Sequence, residues 1–328
     1  MILESQAQGP GGPRPGGRKH TANEAQELQL VPANRTAPAD SKVEITVEGD
    51  SRIIQSNNIP AHEVGRFPNP GNPNAISPQE VDLKLPLKPE ANIKPIPART
   101  AVGIFLNGVY MEAGTGEFWT GGSGTPWNYE ALGGAINLGL DENYAHVQPT
   151  GKYHYHGMPT GYLEDVELNL DKHSPMVGWA FDGFPVYALY GYSDPTDPDS
   201  KVVEMTSSYR LKTGDRPASP EGPGGTYDGA FTADYEYVAG SGTLDECNGC
   251  FTKTPDFPEG TYAYFLTDKW PVIFRNYRGT PAVRQPRGQG GPNGPGGPGG
   301  RPTRPGPPGA PRGTRPPGPR PGPNSPRP

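Results

Sequence analysis

Apolar and polar residues alternate in short runs along this chain, and Gly, Pro, Asn or Asp interrupts the runs every few residues. Val43, Ile45 and Val47 occupy every second position between polar neighbours, the period of a strand with one covered face. The segment AVGIFLNGVYM sets Asn107-Gly108 between two apolar runs, and MVGWAFDGFPVYALYGY does the same with Asp182-Gly183. Both predict β-hairpins. TYAYFLT and PVIFRNY predict closing strands, while helical period is confined to ANEAQELQL near the N-terminus, which predicts one short helix. Between these runs lie loops such as FPNPGNPNAISP and DRPASPEGPGGTYDG. The pattern predicts a mainly β fold, a single sandwich- or barrel-like domain with long Gly/Pro-rich loops.

Composition sets the boundaries. From Pro281 to Pro328 there are 17 Pro, 13 Gly and 8 Arg, with no Asp, Glu or Lys. Such a segment has too little apolar surface to offset its ordering entropy, so it predicts a disordered low-complexity tail. The division is therefore a flexible N-terminal segment over 1–40, a β domain over 41–280 with order from near Val43 to near Arg278, and the Pro/Gly/Arg-rich tail over 281–328. The formal net charge is -6, and the tail is wholly basic, so the body is strongly acidic. That sign argues against a nucleic-acid partner, and no stretch is apolar enough to span a membrane as a helix. A basic tail on an acidic body suits an acidic polysaccharide, a cell surface or a second copy of the chain as partner, the last giving a homo-oligomer or fibre.

Chemistry concentrates in GKYHYHGMP. On a strand, His154 and His156 project from one face and Tyr153 and Tyr155 from the other, so the tyrosines read as packing and the histidines as a two-ligand platform. His146 lies eight residues before His154, and the turn-like QPTG between them is suited to bring it back over the pair. Three imidazoles favour zinc or copper over calcium, which prefers oxygen ligands. Asp141, Asp182 and Asp245 are candidate carboxylates to complete or orient the set. The plainer reading of the pair is hydrogen bonding in a polar loop site, and that of Asp182 is a turn residue. GTYAYFL at Gly260 echoes GKYHYHG but carries Ala263 and Phe265 in place of the histidines. Cys247 and Cys250, in CNGC, read as a local disulfide or two free thiols, since no second Cys or His pair lies at metal-site spacing. Trp119, Trp127 and Tyr129, in a Gly-rich stretch, read as core caps before a carbohydrate surface.

These segments together resemble the YHYH-domain family. The resemblance rests on NNIPAHEVGRFPNPGNPN, VGIFLNGVY, HVQPTGKYHYHGMP, SPMVGWAFDGFPVYALYGY and LDECNG followed by GTYAYFL. It implies a mainly β, exported protein of no settled activity. It also implies a site drawn from His62, His146, His154, His156, Asp182, Asp245 and Asn248. Two functions follow as expectations. One is an extracellular zinc- or copper-binding domain, in its fuller form a metalloenzyme. The other is a structural subunit of an extracellular fibre or surface assembly, with a structural histidine site and the tail mediating attachment.

Overall fold

Two glycine turns organise the fold. The computed structural model describes residues 21–283 apart from 99 and 122–124. Residues 1–20 and nearly all of the basic tail lie outside the described residues, and so does the disorder expected there. Eight strands form the main sheet: β1 (Ala101–Phe105), β2 (Tyr110–Glu112), β3 (Ala145–Val147), β4 (Tyr153–Tyr155), β5 (Met176–Ala180), β6 (Pro185–Ala188), β7 (Gly249–Thr252) and β8 (Thr261–Leu266). The β1–β2 hairpin closes with the Gly108 amide donating to Phe105 O at 2.9 Å and the Phe105 amide donating to Val109 O at 2.9 Å. The β5–β6 hairpin repeats both bonds, from Gly183 to Ala180 and from Ala180 to Phe184, at 2.9 and 3.0 Å. Gly108 and Gly183 have φ of 78° and 93°. Each therefore ends a three-residue turn in the left-handed region, where glycine has no Cβ penalty.

Across the sheet the order is β7-β8-β6-β5-β1-β2-β4-β3. Outward from the central β5–β1 pair, both halves follow one plan: a hairpin, then a parallel neighbour, then an antiparallel edge strand. The registers match residue by residue. Tyr155 stands opposite Met111 and Ala145, and Tyr264 opposite Val186 and Gly249. The central pair is antiparallel, with Trp179 opposite Ile104 and Gly178 and Ala180 opposite Phe105 and Gly103. The fold is thus an internal duplication with pseudo-two-fold pairing. The Tyr-x-Tyr echo is one visible part of it.

The main core gathers Tyr153 and Tyr155 from one half and Tyr262 and Tyr264 from the other, with Phe105, Phe181 and Phe274. A second cluster holds Trp127, Tyr129, Ile136, Leu138 and Phe231, so those aromatics cap a core. Among the described residues there are five small sheets beside the main one, and the only α-helix is the single turn Thr160–Leu163. The mainly β expectation therefore holds. The helix expected at ANEAQELQL does not form. That segment runs extended along residues 133–140, with amide bonds from Ala22 to Ala135 O and from Gln26 to Gly133 O, and Ala25, Leu28 and Leu30 on the second cluster. Nine residues are too few for a self-sustaining helix, and tertiary pairing wins. Strands accordingly begin at Ala33–Arg35, which pairs Val64–Gly65, earlier than Val43.

The centre of the sheet tests this plan. A Cβ built on Gly103 would lie 2.5 Å from Trp179 O, and one on Gly178 would lie 2.6 Å from Ile104 O. Gly103→Ala and Gly178→Ala should each destabilise the domain by about 1–3 kcal/mol, the range for an overpacked core. Gly116→Ala, where nothing lies within 4 Å, should change the urea-unfolding midpoint little. Equal midpoints for all three variants would contradict the close central approach.

Candidate metal centre

The two faces of β4 part as its alternation predicts. Tyr153 and Tyr155 are fully buried in the main core, and the Tyr153 hydroxyl donates to Asp141 Oδ2 at 2.7 Å. Asp141 also accepts from the amides of Gly65, Asn143 and Ala145 at 2.8, 3.0 and 3.2 Å. Burial raises its pKa, and these donors oppose the rise. In the other half, Asp245 repeats the device, accepting from the amides of Cys247 and Gly249 and from the Tyr262 hydroxyl. Tyr144 and Asn248 hold the matching left-handed positions, with φ of 54° and 56°. These loops deliver β3 and β7 to their edge positions.

On the opposite face His154 and His156 are 1% and 2% exposed. The antiparallel β3–β4 register sets His146 directly across from His154. His156 Nε2 lies 3.1 Å from His154 Nε2 and 3.1 Å from His146 Nε2, and the three nitrogens fall within 4.8 Å of one another. The Nδ1 atoms face outward to backbone. His146 Nδ1 is 3.0 Å from Leu138 O, and His154 Nδ1 is 3.2 Å from Lys152 O. A carbonyl only accepts, so each of these contacts forms a hydrogen bond only where that Nδ1 carries the proton, and at His146 the Asn72 amide, a donor, stands 3.2 Å from the same nitrogen. The Glu112 backbone stands beside the His156 ring in looser geometry. Asn72 donates to Val147 O at 2.9 Å and braces His146 from the loop Phe67–Asn74 side.

Donors about 2.0–2.1 Å from a shared tetrahedral ion stand about 3.3 Å apart, so the 3.1 Å spacings suit a metal. The backbone carbonyls beside Nδ1 of His146 and His154 stand where the partners of metal-bound histidines do. The cluster lies at the floor of a cleft of about 370 Å³ lined by Asn72, Asn74, Thr115, Glu117 and Gln148. Burial pushes the His154 and His156 pKa values well below the usual histidine range, and the neighbouring His146 lowers both further.

The other candidates lie elsewhere. Asp182 is not brought to the histidines. Its Oδ2 accepts from the Tyr264 hydroxyl at 2.5 Å and the Gly279 amide at 2.8 Å. It is the counterpart of Asn107, whose amide donates to the Tyr155 hydroxyl at 2.9 Å. His62 sits on the tyrosine face, with Nε2 2.5 Å from the Tyr155 hydroxyl. Asn248 donates to Phe265 O at 2.8 Å, and the Asp245 carboxylate also pairs with Arg278. Cys247 and Cys250 are free thiols, pushed up to about 12 by burial, in the half whose matching positions carry no histidine.

One neighbour was missed. Glu112, at the end of β2, is buried with its carboxylate 3.5 Å from His154 Nε2. Gln148 and Lys152 hold it, at 2.9 and 2.5 Å. Only the parallel β2–β4 pairing reveals it.

An almost all-β protein, duplicated about a central hairpin pair and bearing histidines at one end of its sheet, is the class these features define. A family model described as YHYH protein matches residues 82–279, more than half of the chain, and the chain belongs to that family. No curated protein and no solved structure shows a significant match.

Protonation gives the sign of a pH test. His154 and His156 are held neutral in the fold, while unfolded histidines titrate near about 6.5. The unfolded chain therefore binds more protons below that value, and stability present above it is lost as pH falls. The chelated protein should melt at progressively lower temperature from about pH 7 to about pH 5. A His154→Gln/His156→Gln variant should show a flatter dependence over the same range, read by circular dichroism. On the other face, Tyr153→Ala and Tyr155→Ala should each cost about 3–5 kcal/mol in chemical denaturation, as for other large buried rings.

Proposed function

We propose that this domain holds one zinc or copper ion on His146, His154 and His156, and works outside the cell. The observation that carries the reading is the convergence of three Nε2 atoms at 3.1 Å steps inside a buried site. Nitrogens at that spacing are bridged by the N–H of one imidazole or by a shared cation, and a cation meets all three donors at once. Nitrogen donors select zinc or copper over calcium. The ion would supply Lewis acidity or, for copper, redox chemistry at the cleft floor. The polar cleft suits a small polar ligand, which is the setting a metalloenzyme would need. Export follows from likeness to a family of mostly exported proteins.

The test is metal content. Protein loaded with zinc or copper and then desalted should retain about one equivalent and melt at higher temperature than the chelated form. His154→Ala/His156→Ala should keep the fold and lose the metal. No retained metal and no thermal shift in the wild type would end the reading.

A second reading, assembly into a homo-oligomer or fibre, is favoured by one edge. Strand Val43–Glu48 is exposed at all six positions, with Val43, Ile45 and Val47 40%, 38% and 63% exposed, and it borders its three-stranded sheet. An exposed apolar edge strand is a template for strand addition. Under this reading, native mass should rise with concentration, and Ile45→Lys should abolish the rise.

A further inference from the structure

The histidines do not exhaust the donors at the cleft floor. Glu112 presents two distinct oxygens. Oε1 is 2.5 Å from Lys152 Nζ and 3.0 Å from Gln148 Nε2. Oε2 has the Gln148 amide at 2.9 Å and lies 3.5 Å from His154 Nε2. At 3.5 Å that second distance is too long for a good hydrogen bond. A carboxylate oxygen and an imidazole nitrogen thus stand 3.5 Å apart, close to the spacing of two ligands on one ion. The lysine occupies the far oxygen and leaves the near one turned to the histidines.

The duplication supplies independent support. Through the matched registers, Glu112 corresponds to Tyr187, His146 to Cys250, His154 to Ala263 and His156 to Phe265. Lys152 and Gln148 correspond to Thr261 and Thr252. The framework is common to both halves: Gly103 and Gly178, Gly108 and Gly183, Asp141 and Asp245, and the two tyrosine pairs. At the site positions the halves part company. In the second half Tyr187, Ala263 and Phe265 form an apolar cluster with Met205 and Leu244, and Cys250 packs against it. The carboxylate and both its holders differ together with the histidines, as parts of one centre would.

We propose that Glu112 is the fourth protein ligand, so that the centre is a three-histidine, one-carboxylate set with Lys152 and Gln148 as positioning residues. This rests on the metal-binding part of the reading above and replaces its open, catalytic form with a structural one. Around a tetrahedral ion the shell is then closed by protein, as in sites that hold a metal for stability, and the ion has no exchangeable water.

Cobalt(II) substitution of the full chain reads the shell directly. The wild type should take up one cobalt with an intense tetrahedral d–d spectrum that added azide leaves unchanged. Glu112→Gln should bind zinc at least about 100-fold more weakly in chelator competition and give a cobalt spectrum that azide now shifts. Glu112→His restores a donor and should bind zinc within about tenfold of wild type. Lys152→Met should lower affinity while keeping the azide-insensitive spectrum. Wild type that binds neither cobalt nor zinc would remove the metal centre itself. Wild type that binds cobalt but responds to azide, or Glu112→Gln with unchanged affinity and spectrum, would remove only Glu112 and leave three histidines. If Glu112→Gln does not fold, the wild-type azide response and the Glu112→His affinity decide the matter.

Discussion

An aspartate that accepts a tyrosine hydroxyl, fully buried in the first half and partly buried in the second, is the constraint on which the rest depends. Asp141 and Asp245 each hold a five-residue loop by their own backbone and carboxylate, and each receives the first tyrosine of the following Tyr-x-Tyr strand. A buried carboxylate is costly unless its lone pairs are met, so the loop, the edge strand and the tyrosine must form together. Once Tyr153 is committed to Asp141, strand parity leaves His154 and His156 no face but the other. The histidine site is thus a consequence of packing on the far side of one strand.

Duplication explains why this arrangement can carry chemistry at one end only. The core is built from framework positions that both halves share, and it closes without the outward face of β4 or β8. In the second half that face is filled with Tyr187, Ala263 and Phe265. In the first it holds three imidazoles and a carboxylate. The apolar version shows what the fold does with these positions when stability alone decides, and the polar version is a departure from it.

The alternation of GKYHYHGMP, the echo at Gly260 and the two Gly turns were legible because each is local. Tyrosine-in and histidine-out follows from period two, and His146 from a turn one strand long. Asp182 misled because a carboxylate on a hairpin tip looks available, whereas its tyrosine partner is 82 residues away. His62 is likewise claimed by Tyr155, across 93 residues. Glu112 was hidden for the same reason, since a parallel pairing between β2 and β4 leaves no spacing signal. ANEAQELQL failed in the other direction: its apolar residues suit a helix and equally suit an extended run over a second core, and only the partner decides.

The energetics return to the histidines. Burying neutral imidazoles with their Nε2 atoms turned together forgoes hydrogen bonds to water and leaves the 3.1 Å contacts among the rings, each of which needs one Nε2 to carry its proton. Packing alone offers a better solution, and the second half displays it with Phe265 and Ala263. A fold that keeps the costlier arrangement, sets carbonyls beside Nδ1 of His146 and His154 and places a buried carboxylate next to the cluster is suited to enclose a positive charge. Lys152 cannot be that charge for the imidazoles, because its ammonium is spent on Glu112 Oε1. On the proposed metal reading, the favourable term is a cation between the nitrogens, and a bond length of about 2.0–2.1 Å fits that space.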